Sequence, residues 1–198
     1  MNVFARLVDA TRRYADHPDP RVAAANFTAL LVASNQPFYP LYIYWLVGER
    51  IEPSLYTFFS TPFFLAVPAL ARVNSVAGRA LLPLAGIGNA IMCANLFGVR
   101  SGVEIFLIPC AVLALALFRP GERIVGFALA GITLLAFLWV PRFYGVPLVA
   151  YSEQEYTALV RLNAVSAAML TAFVALMMSN MLAAAESSAE TIRGEKAR

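Results

Sequence analysis

Gly88-Asn89-Ala90-Ile91-Met92-Cys93-Ala94-Asn95-Leu96-Phe97-Gly98-Val99-Arg100-Ser101-Gly102-Val103-Glu104-Ile105-Phe106-Leu107-Ile108-Pro109 reads as the end of one apolar helix, a turn, and the start of another. The first helix carries Asn89, Cys93 and Asn95. Glycines bound the turn, and Glu104 falls in the first turn of the second helix. Polar groups set this densely into apolar runs describe a membrane hairpin, and they are the part of the chain suited to touching a ligand.

Composition extends that reading to the whole chain. Hydrophobic residues make up 60% and charged residues 14%, against roughly 45–50% and about 25% in globular domains. Apolar runs recur at the length of about 20 residues that a ~30 Å hydrocarbon layer requires. The class is all-α, a polytopic integral membrane protein. The net charge of +3 comes from arginines lying singly between apolar segments, which is a topology pattern and not the basic stripe of a nucleic-acid binder. Cys93 and Cys110 both lie in apolar runs, and the lone histidine, His17, stands in Asp-His-Pro-Asp-Pro. This offers neither a disulfide framework nor a metal-ligand set, so no metal and no cofactor are expected.

Taken in order, residues 1–21 form an N-terminal segment whose stretch 2–16 is an amphipathic helix lying at the cytoplasmic interface. A signal peptide is the rival, but Asp9, Arg12 and Arg13 interrupt the apolar run it needs. The membrane domain spans 22–182, with helices at 22–47, 54–71, 80–97, 103–118, 124–140 and 156–182. The first has a polar middle, Ser34-Asn35-Gln36, before Pro37 and Pro40, and two missing amide protons should bend it there. Arg72 to Arg79 reads as a polar loop, and Gly86 with Gly88 as a point of close backbone approach. Residues 183–198 are a cytoplasmic tail or the start of a signalling helix.

Six crossings put both termini on one side. With the termini inside, the inner segments hold Arg6, Arg12, Arg13, Arg21, Arg72, Arg79, Arg119, Arg123, Arg193, Lys196 and Arg198; the outer ones hold Arg50, Arg100, Arg142 and Arg161. That asymmetry predicts both termini in the cytoplasm. Depth then follows: Asn35 and Gln36 lie near mid-membrane, with Tyr39, Asn89, Cys93, Asn95, Glu104, Asn163 and Ser166 in the outer half. Together these nine residues are the candidate ligand-binding set, an outward pocket for a small lipophilic ligand with apolar walls and few polar groups. The alternative is that the amides and hydroxyls are interhelical glue, worth ~0.6 kcal/mol each on average. For Glu104 the alternative is a cap or an i,i+4 pair with Arg100. Nothing supports an enzyme: no carboxylates pair on one helical face, no His or Cys stands beside a base, and the glycines lack a nucleotide-binding context.

At the same hairpin, Asn95-Leu96-Phe97-Gly98-Val99-Arg100-Ser101-Gly102 followed by Val103, Glu104, Ile105, Phe106 and Pro109 resembles the six-helix membrane input domains of bacterial class III adenylate cyclases. It is similar also to those of sensor histidine kinases that detect hydroxyketone autoinducers. Arg119 to Arg123 fits the short basic turn of that group. The resemblance implies a sensor in the bacterial inner (plasma) membrane that signals through the sixth helix, with a homodimer and a cytoplasmic output domain or protein as partners. In the family an output module follows the sixth helix; here the sequence ends at Arg198, so the expectation is an input domain without its output. The competing expectations are a small transporter or channel subunit, in which Gln36, Asn89 and Glu104 line a path, and a structural partner in a membrane complex.

Overall fold

The computed structural model describes residues 3–196, and all regular structure among them is helical. The amphipathic N-terminal stretch is α1, Val3–Ala15. Pro20 starts α2, Pro20–Asn35, where its missing amide proton costs nothing, and Asp19 caps the helix by accepting from the Arg21 amide at 3.0 Å. Pro37 and Pro40 then interrupt the helix at the expected place: the α-helix tightens into a 3-10 turn at Gln36–Phe38 before resuming as α3, Tyr39–Val47. Gly48, at φ +71°, ends it.

The return begins with a single turn, α4, Glu52–Leu55, and a 3-10 stretch, Tyr56–Ser60, leading into α5, Thr61–Val73. Next comes α6, Ser75–Phe97, which starts five residues before the expected 80. The stretch Arg72 to Arg79 is therefore not a loop. Asn74 alone is extended, and its side chain accepts from the Val76 and Ala77 amides at 3.0 Å, so one residue both ends α5 and caps α6.

The hairpin turn holds a short 3-10 piece, Val99–Ser101, and a second, Val103–Phe106, before α7, Leu107–Ala116. Gly102 lies between the two pieces at φ +70°, a conformation glycine adopts without a Cβ penalty. After the turn Pro120–Glu122 come α8, Arg123–Trp139, a 3-10 turn at Val140–Phe143, and finally α9, Glu153–Lys196, of 44 residues. Helix α9 both begins before and continues beyond the expected 156–182. The side chains of Arg193, Lys196 and Arg198, counted above for topology, lie outside the described residues.

Among the described residues, four helical stretches are long and apolar enough to cross a membrane: Glu52–Val73, Ser75–Phe97, Pro120–Phe143 and Glu153–Met181. Only 22% of the apolar window in Pro120–Phe143 is buried within the molecule, so most of α8 turns outward, as a lipid-facing helix must. The shorter Val103–Ala116 and the interrupted Pro20–Val47 are also apolar.

The helices pack around two ends. The base gathers the start of α2, the end of α5, the start of α6, the α7–α8 turn and the far half of α9 around Ala25, Val67, Leu82, Leu117 and Val174. The crown gathers Ile43, Cys93, Phe97, Tyr151, Tyr156 and Leu159. Close approach to a neighbouring backbone occurs at glycines other than the expected pair, of which Gly86 instead meets a side chain, with a built Cβ 2.6 Å from the Cys110 sulfur. A Cβ on Gly78 would meet the Ala71 backbone at 2.5 Å, and one on Gly126 would meet the Ala114 carbonyl at 2.6 Å. Gly86 abuts only the Cys110 sulfur, and Gly88 has open space.

Candidate functional site at the crown

The 3-10 turn that follows α2 delivers Gln36 to the aromatic return, Tyr56–Ser60 and the start of α5, where it meets two hydroxyls that composition alone did not single out. Gln36 Nε2 donates to the Thr57 carbonyl at 3.1 Å and to Ser60 Oγ at 2.5 Å, while its Oε1 accepts from Thr61 Oγ1 at 2.5 Å. Ser60 Oγ in turn lies 3.0 Å from Asn89 Oδ1 and 2.7 Å from the Thr57 carbonyl, either of which takes its single proton. Cys93, one helical turn beyond Asn89, donates weakly to the same oxygen at 3.7 Å. This network ties α2, α5 and α6 together and saturates Gln36.

A second network lies above it. Tyr39 donates to Asn163 Oδ1 at 3.1 Å, and Asn163 Nδ2 donates to the Ser101 carbonyl at 2.9 Å. Asn163 is wholly buried and so spans three elements: α3, the hairpin turn and α9. Tyr39 also packs edge-on against Phe97, with ring centroids 6.1 Å apart. The two networks adjoin, since Tyr39 packs against the cluster that contains Cys93.

Asn95 and Glu104 belong to a third arrangement. Residues 144–152 lie as a strap across the hairpin mouth: the Gly145 amide donates to Asn95 Oδ1 at 3.0 Å, and the Leu148 amide donates to the Leu96 carbonyl at 2.9 Å. The strap's far end is tied by Tyr151, which donates to the Arg50 carbonyl at 2.8 Å, and by Arg50, which donates to the Ala150 carbonyl at 3.1 Å. Arg50 pairs with Glu155 and Arg100 with Glu153, two carboxylates in the first turn of α9 that also favour its positive dipole end.

Beneath the strap lies Glu104, buried, with Oε1 lacking any hydrogen-bond partner among the described residues. Tyr144 of the strap hydrogen-bonds to the same carboxyl group, which leaves Oε1 as its unpartnered oxygen. Burial pushes the Tyr144 phenol well above its usual range, and the charge of Glu104 adds to the effect, so the hydroxyl keeps its proton.

The expected Arg100 to Glu104 pair does not form. Gly102 breaks the helix between them, so they share no helical face, and Arg100 turns instead to Glu153. The nine candidates thus divide. Gln36, Asn89 and Cys93 share one network, Tyr39 and Asn163 another, Asn95 anchors the strap, and Glu104 sits below it. Asn35 is exposed, and Ser166 makes no side-chain hydrogen bond among the described residues. Sequence reading passed over Thr57, Ser60, Thr61, Ser101 and Tyr144. A Ser-Thr step inside an aromatic run was the signal for two of them.

No family model matches the sequence, and no curated protein matches it either.

Proposed function

We propose that the chain is a membrane sensor module. Six helical segments cross the bilayer with both termini in the cytoplasm. A small lipophilic ligand bearing a hydrogen-bond donor is taken from the periplasmic side at Glu104, and α9 carries the response inward. The observation behind this reading is the buried, unpartnered Oε1 of Glu104 under a strap held by a few hydrogen bonds. Leaving a buried acceptor unsatisfied costs ~1–3 kcal/mol, so a ligand hydroxyl at that oxygen is favoured.

Three further features support the reading. Asn163 links the hairpin turn beside Glu104 directly to α9, which gives a route from site to helix. Below the crown, Ala25, Phe64, Leu82 and Leu113 close the bundle with apolar packing, as a receptor needs and a transport path does not. The Asn95 to Pro109 motif resembles input domains that read hydroxyketones, and on that resemblance the partners are a second copy and a cytoplasmic output protein.

Thermal unfolding of the full chain in detergent, with and without long-chain hydroxyketones or the matching ketones lacking the hydroxyl, tests this. The hydroxyketone should raise Tm and its plain ketone should not. Glu104→Gln, which replaces an acceptor oxygen by an amide, should weaken hydroxyketone binding by about tenfold, as expected for one hydrogen bond to a charged group. Asn89→Leu should lower the unliganded Tm yet leave the ligand-induced shift in place. Equal binding to wild type and Glu104→Gln defeats the assignment.

A further inference from the structure

At the base, the end opposite the crown, two grooves run into one another. The larger, about 610 Å³, lies between the start of α2 and the far half of α9, with Phe27, Phe173, Met177 and Met181 in its walls. The smaller, about 400 Å³, shares Ala23 and Phe27 with it and continues to Arg12, Arg13 and Asp16 at the end of α1. The two adjoin at Ala23 and Phe27, so an apolar slot lies beside a cationic mouth, together a trough of two parts.

The arginines at that mouth, like Arg6, Arg21 and Arg123, join no ion pair among the described residues, while three others at the base are held by neighbours. Arg72 donates to the Tyr14 carbonyl and lies over its ring, Arg119 pairs with Asp19, and Arg79 pairs with Glu122. Arg12 and Arg13 are exposed and join no ion pair among the described residues. Asp16 also lines the mouth, which leaves two cations to one acid. Phe27 and Leu31, along the α2 side, are exposed apolar side chains of the kind that face hydrocarbon.

We propose that this trough seats one anionic glycerophospholipid of the leaflet that holds the base, with an acyl chain along Phe27, Met177 and Met181 and the phosphate at Arg12 and Arg13. A diacyl phosphate has the trough's own polarity, apolar over most of its length and negative at one end. Basic residues at the membrane surface next to an apolar cleft between helices are the usual means of holding such headgroups. The slot falls within the size range of small-molecule sites, and its mouth is positive where a neutral lipid offers no net charge. This inference does not depend on the crown, so its failure leaves Glu104 untouched.

Native mass spectrometry of the full chain in neutral detergent, titrated with phosphatidylglycerol or phosphatidylcholine, tests it. One phosphatidylglycerol should be retained in preference to phosphatidylcholine. Replacing both arginines, Arg12→Gln with Arg13→Gln, should cut that preference by on the order of tenfold or more while the neutral lipid is held as before. Ala23→Trp, which fills the point common to both grooves, should expel both lipids, and inorganic phosphate alone should not compete. An unchanged preference in the double arginine variant overturns the proposal, and because both side chains are exposed that variant folds whether or not Ala23→Trp does. Retention of lipid by a folded Ala23→Trp chain overturns it too, as does a shift from dimer to monomer in that variant with lipid unaffected, which would assign the trough to a second copy.

Discussion

Arg79 is wholly buried, the largest side chain so placed. Its Nη1 donates to Glu122 Oε2 at 2.7 Å and to the Leu117 carbonyl at 2.8 Å, its Nη2 to Glu122 Oε1 at 3.0 Å, and its Nε to the Ser75 carbonyl at 3.0 Å, with the Phe118 ring beneath at 5.3 Å. A guanidinium out of water tolerates burial only when its donors are met, and here a bidentate carboxylate and two carbonyls meet them. Glu122→Gln should therefore lower stability by about 3 kcal/mol, the low end of what breaking a buried pair costs, because the two carbonyls remain. Arg79→Met, which removes the charge as well, should cost less. Thermal unfolding of the three chains in one detergent ranks them, and a Glu122→Gln chain as stable as wild type would refute the ranking. Counting Arg79 as a topology signal captured its charge but missed this role, since nothing in the local sequence says that a residue 43 positions away will come to meet it.

Helix packing follows from where side chains are missing. Gly78 lets α6 lie against the Ala71 backbone of α5, and Gly126 lets α8 lie against the Ala114 carbonyl of α7, the close contact that small residues permit between helices in a membrane. Gly126→Val should force α7 and α8 apart and cost about 1–3 kcal/mol, whereas Gly88→Ala, with open space around it, should be neutral or slightly stabilising through helix propensity. A shared loss of Tm in both variants would contradict this. Much at this scale was legible in the sequence: Pro37 and Pro40 marked the place where the helix is interrupted, though as a bend and not as the 3-10 turn found there, and Gly98 and Gly102 announced the hairpin turn, because proline and glycine act on their own backbone. The glycine contacts were not legible, since periodicity gives the face of a helix but not the register at which a neighbour touches it. The site was half legible for the same reason. Gln36, Asn89 and Glu104 declared themselves as polar groups in apolar runs, while Thr57, Ser60 and Tyr144 acquire meaning only from what they face.

Across the whole molecule, the ion pairs among the described residues lie at the two ends. The base has Arg79 with Glu122 and Arg119 with Asp19; the crown has Arg50 with Glu155 and Arg100 with Glu153. Between them the outward surface is apolar, with Phe63, Leu134, Leu138 and Met169 all exposed, a distribution that suits a body banded by lipid and wet at both poles. On the proposed orientation, which rests on the arginine asymmetry, the base is the cytoplasmic pole. Val146 of the strap is almost fully exposed and Gly121 of the base turn has open space, while the native Cys93 and Cys110 are buried. On intact cells Val146→Cys should therefore take a membrane-impermeant maleimide, and Gly121→Cys should take it only after the membrane is opened. The reverse pattern would invert the topology.

The strap's attachment to α9 has a mechanical corollary. That helix is gripped near its start by Arg50, Arg100 and the Ser101 carbonyl, and its 44 residues at 1.5 Å each make a rod of about 66 Å. Tied at the crown, packed into the base around Val174 and unbroken by proline along its length, it joins the two poles as one stiff element: a small tilt imposed at the crown is carried through the base and grows with distance towards the far tip.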